Sequence, residues 1–203
     1  MGTVIGICGG SGSGKSTLAT RVAGAIAPTP VSVLQFDSYY RDHGHLSPDD
    51  RALVNYDHPD SLDVELFVAH LDALRRAAGT DPGLRLQHPT RSDEVRWLEP
   101  APVIVAEGIL LLAFAQIRER FHLAVFRECP EDIRLARTDA TRHRRAWSNR
   151  RIGSRTICDD RRADARSVCR ALRGHADLVV KHNEIDLDEA ARLVVVQLAT
   201  LSS

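Results

Sequence analysis

The chain has 203 residues, 43% of them hydrophobic, and its 27 basic and 27 acidic groups cancel to a net charge of zero. That length favours one domain with a small insertion, the apolar content is enough for a real core, and the neutral total gives no global case for nucleic acid or an anionic membrane as partner. No apolar run reaches the roughly 18–20 residues of a membrane span. Thr3-Val4-Ile5-Gly6-Ile7 follows Met1 with no basic segment before it, and Cys8, Cys129, Cys158 and Cys169 form neither a C-x-x-C pair nor a zinc spacing. The expectation is a cytoplasmic protein with reduced thiols, not a membrane protein or a disulfide scaffold.

In chain order, Thr3 to Cys8 is β-branched and apolar and predicts a buried strand. A Gly/Ser loop runs from Gly9 to Gly14, and a helix is predicted from Lys15 to Ala27, with Leu18, Val22 and Ile26 spaced by four. Pro28 and Pro30 end it, and Val31 to Phe36 predicts a second strand with Asp37 just past its end. Arg41 to Pro59 is polar and rich in His, Asp and Pro, a loop that carries function or covers a site. Ser61 reads as the cap of a helix from Leu62 to Ala78 with Leu62, Leu66, Phe67, Leu71 and Leu74 on its apolar face. Leu84 to Gln87 and Val95 to Leu98 predict a two-stranded ribbon; Val103 to Ala106 predicts a buried strand ending at Glu107. A helix is expected over Ile109 to Arg120, a strand over Leu123 to Phe126, and a helix from Pro130 to at least Arg137. A late strand, Asp177 to Val180, precedes a closing helix from Asp186 to Leu201 whose first-turn acids suit the helix dipole. Its stripe of Leu193, Val194, Val196, Leu198 and Leu201 reads as core, with the surface of a homo-oligomer as the alternative. Strands alternating with helices predict an α/β fold, a parallel sheet covered on both faces, in one domain spanning 1–203.

Gly9-Gly10-Ser11-Gly12-Ser13-Gly14-Lys15-Ser16 matches G-x-x-x-x-G-K-[ST], between a strand and a helix as a phosphate loop requires. Glycines let backbone N–H groups turn inward around phosphate oxygens, and the helix N-terminus adds its positive end. Lys15 supplies a point charge to the β- and γ-phosphates, the Ser16 hydroxyl can bind Mg²⁺, and Thr17 completes the nucleotide-binding stretch. Ligands of open parallel sheets sit beyond the carboxyl ends of strands, where Asp37 and Glu107 both fall. One can accept the proton of an attacking hydroxyl; the other can hold Mg²⁺ directly or through water. His43-Gly44-His45 lacks a third ligand and reads as solvated.

With Gly9 to Ser16, the segments Phe36-Asp37-Ser38-Tyr39-Tyr40, Asn55-Tyr56-Asp57-His58-Pro59-Asp60-Ser61-Leu62-Asp63 and Glu107-Gly108-Ile109-Leu110 strongly resemble uridine kinases. The similarity spans roughly 3–137 and resumes at His175-Ala176-Asp177-Leu178-Val179-Val180; D-H-P-D-S is its most specific part. The resemblance implies ATP- or GTP-dependent, Mg²⁺-assisted phosphorylation of the 5′-hydroxyl of uridine or cytidine. It implies Asp37 as catalytic base, Asp57 holding ribose hydroxyls, and Tyr40, His58, His88 and Arg91 around the nucleoside. The family's ribbon carries Tyr-Asp-Phe and then His-x-Arg; here Leu86-Gln87-His88-Pro89-Thr90-Arg91 offers Arg91 and, loosely, His88, with no aromatic in the first place. The rival readings are a kinase of the nicotinamide riboside or pantothenate type, and a nucleotide-binding protein without catalysis.

The zero net charge hides a second departure. Residues 138–173 hold 11 Arg, no Lys and 4 Asp, a charge of +7, against −7 for the rest. The family's lid motifs, R-R-D-x-x-E-R-G-R, Q-Y, T-V-x-P-M-H and P-S, are missing there, and no helical or strand period is sustained. Joining the second and third bases of each codon to the first base of the next, with degenerate bases free, can restore them. Residues 138–157 can become R-M-R-R-D-T-A-E-R-G-R-T-V-E-S-V-L-E-Q-Y, and 159–172 can become T-T-V-x-P-M-H-E-x-F-V-E-P-S. Fixed bases agree along the way: Trp147 before Ser148 must give Gly. The arginine excess also fits, because GC-rich coding DNA read out of frame yields CGN codons. The reading is that two compensating frameshifts enclose 138–173. As written, the family's lid arginines are replaced by Thr138, Thr141, Ala146 and Ser148, and its glutamine by Thr156, which implies nucleotide binding with weak or absent turnover.

Overall fold

A computed structural model describes residues 1–41, 61–78, 86–88, 96–138 and 171–201, with only the backbone at 86–88 and 96. Strands β1 (Thr3–Cys8), β2 (Val31–Gln35), β5 (Val103–Gly108), β6 (Leu123–Glu128) and β7 (Leu178–Lys181) form one sheet in the order β2-β5-β1-β6-β7. Every pairing in it is parallel. The remaining strands, β3 (Leu86–His88) and β4 (Arg96–Leu98), pair antiparallel as a ribbon with His88 opposite Arg96. The helices are α1 (Lys15–Ala25), α2 (Val64–Ala77), α3 (Ala115–Arg118), α4 (131–138) and α5 (Leu187–Leu201).

Strands β1, β5 and β6 are buried almost throughout, as their unbroken apolar runs require. Alternate residues serve two cores. Val4, Leu34, Phe36, Ile104 and Phe126 pack with Phe67, Leu71 and Leu74 of α2 on one face. Ile5, Ile7, Val105 and Val125 pack with Leu18, Val22 and Val194 of α1 and α5 on the other. Each such side chain contributes about 1.5–3 kcal/mol. Gly6 sits where β1 passes the Phe121 ring; a Cβ there would lie 2.3 Å from it and is omitted for that reason. Arg120 grips Asp72 through Nε and Nη2, both at 2.8 Å, tying α2 to the end of α3 and holding the Asp72 carboxyl below its ordinary range.

Several expectations are corrected. Asp63, not Ser61, caps α2: its Oδ1 accepts from Leu66 N at 3.0 Å, while Leu62 bridges Tyr40 in extended form and Ser61 is buried. Consequently Val64 and Ala77 join the buried face and Leu66 is 39% exposed. No long helix spans 109–120. Leu110, Leu111 and Leu112 are all buried, which one face of a helix cannot achieve, and only Ala115–Arg118 is α-helical. In α5 the buried residues are Ala190, Ala191 and Val194, whereas Leu193, Val196 and Leu201 are 40%, 60% and 55% exposed. The small side chains are the ones that let α5 approach α1. Among the described residues no helix is long and apolar enough to cross a membrane.

Candidate active site

The loop from Gly9 to Gly14 turns through two positive-φ glycines, Gly12 at +75° and Gly14 at +88°, a conformation side chains resist. Gly14 is the residue before α1, and its carbonyl accepts from Leu18 N at 2.9 Å. Helix α1 thus begins at Lys15 with its N-terminus at the carboxyl ends of β1 and β5, the arrangement that suits a phosphate. Ser13 is buried and its Oγ has no hydrogen-bond partner among the described residues, a donor held inside the loop.

Lys15 extends from the first turn of α1 between two carboxylates. Its Nζ is 3.1 Å from Asp37 Oδ2 and 3.6 Å from Glu107 Oε2. Burial works against the ammonium, but Asp37 and Glu107 outweigh it, and the Lys15 pKa is raised. Glu107 is 3% exposed, one of six buried polar or charged residues described. Burial pushes its carboxyl up; Lys15 pulls it down and Asp37 pushes it up again, so the net shift is upward. Ser16 Oγ donates to Glu107 Oε1 at 3.0 Å, and Glu107 Oε2 is buried without a hydrogen bond among the described residues.

Asp37 lies in a 3₁₀ turn, Phe36–Ser38, that leaves β2. Aromatic packing fixes the turn. The Phe36 ring is 4.6 Å from Phe67 and 5.8 Å from Phe114, and Tyr39 meets Phe67 edge-on at 5.1 Å. Tyr39 Oη also lies 2.9 Å from His70 Nδ1. The carboxylate itself is oriented by the end of β5: Ile109 N donates to Asp37 Oδ1 at 3.0 Å. A Cβ on Gly108 would stand 2.6 Å from Phe36 Cβ and 3.1 Å from Asp37 Oδ1. Sequence reasoning missed the Ile109 amide and Gly108. The available signal was a glycine inside an apolar strand, which marks close backbone approach.

Lys15, Ser16, Asp37 and Glu107 therefore converge, and Gly9, Gly10, Ser11, Gly12, Ser13 and Gly14 form the loop beside them. Thr17 is exposed on α1. Tyr40 follows the turn and packs against the α2-side core. His88 is placed only as backbone in β3; Asp57, His58 and Arg91, and the segment 139–170, lie outside the described residues. So do the histidines of His43-Gly44-His45. Ser16 Oγ and the Glu107 carboxylate are hard oxygen donors side by side, a donor set that fits Mg²⁺.

A strand–glycine loop–helix unit at the carboxyl edge of a parallel sheet, with an ammonium between two acids, defines an α/β P-loop NTPase fold. Solved structures agree on the fold. One from Silicibacter sp. TM1040, named for a fructose transport system kinase, superposes with TM-score 0.62 at 22% identity over 88% of this chain and 89% of its own. The shikimate kinase of Acinetobacter baumannii gives 0.53 at 15% identity over 98% and 94%. A sequence model of the phosphoribulokinase/uridine kinase family matches residues 4–181. The uridine kinase of Shewanella halifaxensis is 43% identical over 150 residues, 70% of this chain and 71% of that protein. That of Salmonella newport is 40% identical over 139 residues, 66% and 65%. The chain belongs to the phosphoribulokinase/uridine kinase family.

Proposed function

We propose that the chain is a uridine/cytidine kinase that moves the γ-phosphoryl of ATP or GTP to the nucleoside 5′-hydroxyl. The observation that carries this reading is the Lys15 ammonium, 3.1 Å from Asp37 Oδ2 and 3.6 Å from Glu107 Oε2 at the mouth of a phosphate loop. In the reaction the 5′-oxygen forms a bond to the γ-phosphorus, the bond from that phosphorus to the β–γ bridging oxygen breaks, and the nucleoside diphosphate leaves. Asp37 takes the hydroxyl proton on Oδ2, while the Ile109 amide holds Oδ1 in place. Lys15 turns from the acids to the donor phosphates as they arrive. Ser16 and Glu107 would hold Mg²⁺, which when bound neutralises phosphate charge. Asp57 fixes the ribose and Tyr40 walls the base, with His58, His88 and Arg91 completing the acceptor site. The uridine kinases among the relatives, together with D-H-P-D-S at 57–61, favour uridine or cytidine over nicotinamide riboside or pantothenate.

The test is transfer from labelled ATP and GTP to uridine, cytidine, nicotinamide riboside and pantothenate, with Asp37→Asn alongside. Uridine or cytidine should be the acceptor, and Asp37→Asn should lose roughly 10²–10⁴-fold in kcat with nucleotide affinity kept. Equal turnover in the variant would remove Asp37 from its role.

A further inference from the structure

A second cationic cluster lies against the phosphate loop, and the reaction described above does not use it. Arg127 is in β6, in line with Leu123 and Val125, whose side chains belong to the core with α1 and α5. It is 2% exposed, and its Nε and Nη1 have no hydrogen-bond partner among the described residues. Nη2 stands 3.2 Å from His182 Nδ1, and His182 Nε2 stands 3.4 Å from Arg137 Nη2. A neutral imidazole has one lone pair and an imidazolium none, so His182 can accept from at most one of the two guanidinium groups that face it. No carboxylate among the described residues pairs with Arg127. Its neighbour Glu128 is engaged by Arg173 at 3.0 Å. Burial and the Arg137 charge both act against the Arg127 cation.

The cluster lies against the loop: a Cβ on Gly14 would stand 3.9 Å from Arg137 Nη1. A Cβ on Gly9 would meet the Arg127 carbonyl at 2.7 Å and its Cβ at 3.3 Å, and a Cβ on Gly10 would run into the Arg134 guanidinium. Arg134 Nη1 also lies 3.5 Å from the Ser11 carbonyl. A buried guanidinium without an anion is among the costliest arrangements in a protein interior, whereas one that meets an oxyanion gains charge-assisted hydrogen bonds. Nε and Nη1 are both unspent. Once an anion satisfies Arg127, His182 is released from its conflict and can donate.

We propose that Arg127, with His182 and Arg137, forms an oxyanion site beside the phosphate loop that takes a phosphate group. Two sources share that chemistry: a phosphate of the donor nucleotide, which rests on the kinase reading, and a free phosphate, which does not.

The probe is inorganic phosphate, titrated calorimetrically and by thermal melting into the whole chain and into Arg127→Met and Lys15→Met. Phosphate should raise the melting temperature of the parent. Its affinity should fall about tenfold or more in Arg127→Met, the loss expected for hydrogen bonds to a charged group. Without phosphate, Arg127→Met should melt no lower than the parent, because it removes an uncompensated buried charge. Should that variant fail to fold, Arg127→Lys keeps the charge, loses the planar guanidinium donors, and should weaken phosphate likewise. Unchanged affinity in the Arg127 variants, or no phosphate binding by the parent, would overturn the site. Lys15→Met separates the sources: binding lost there too assigns the site to a nucleotide phosphate, and binding kept assigns it to a free one. The kinase reading is tested by the turnover of Asp37→Asn and this site by the phosphate affinity of the Arg127 variants, so the two claims fail separately.

Discussion

At Lys15 three charges are held within one ammonium's reach, and the balance among them sets how the site responds to pH. The Lys15 pKa is raised above its ordinary 10.5, so the stability its charge contributes is fully present below 10.5 and is lost as pH climbs through the raised value. The melting temperatures of the parent and Lys15→Met should therefore differ most at neutral pH and converge in strong alkali; a pH-independent gap would contradict the pairing. Glu107 shifts upward as well, so its ionised form costs stability as pH rises from its ordinary 4.5 through the raised value. Glu107→Gln should remove that cost, seen as a flatter melting profile over the same range, and weaken the Mg²⁺ dependence of nucleotide binding. These residues were legible because two simple rules reach them: a contiguous glycine loop names Lys15 and Ser16, and the strand-end rule names Asp37 and Glu107. Arg127 was not, because its meaning depends on β6 burying it beside His182, 55 positions away.

Among the elements, the two edges that carry the acids are bolted together by an absent side chain. Gly108 lets the Phe36–Ser38 turn sit against the end of β5, and Ile109 N then holds Asp37. Gly108→Ala should push that turn and cut kcat by roughly 10–100-fold with little change in nucleotide affinity, as expected when a reacting group moves by a fraction of an ångström. Gly6→Ala, which meets Phe121 away from the acids, is the control. It should cost about 1–3 kcal/mol of stability and leave kcat alone. A parallel loss of affinity and kcat in Gly108→Ala would reduce Gly108 to a packing residue. The strands were readable to within a residue or two because buried parallel strands are unbroken apolar runs. The stretch 109–120 was not, since its helical spacing competes with three consecutive leucines that the core takes whole and with an amide committed to Asp37. The stripe of α5 failed similarly: the helix approaches α1 through Ala190, Ala191 and Val194, and the larger side chains stay outside.

Across the whole molecule, the proposed kinase reading leaves turnover of a bound triphosphate to the acceptor residues and to the segment 138–173. The frame reading predicts codons over 138–173 that spell the lid motifs one base out of register; codons incompatible with that string end the idea. Replacing this segment by its shifted reading should raise phosphoryl transfer by about 10³-fold or more, the scale on which arginines act on a transferring phosphoryl group, while nucleotide affinity changes far less. An unchanged rate would mean that the arginines already present, such as Arg142, Arg144 and Arg145, do the work. All of this presupposes that the loop around Lys15 grips a triphosphate, and calorimetric titration of ATP and GTP with and without Mg²⁺, into the parent and Lys15→Met, tests that most directly. The account predicts saturable, Mg²⁺-dependent binding by the parent that weakens about tenfold or more in the variant. Absence of Mg²⁺-dependent binding in the parent, even with its lid segment re-framed, or equal affinity in Lys15→Met, would contradict it.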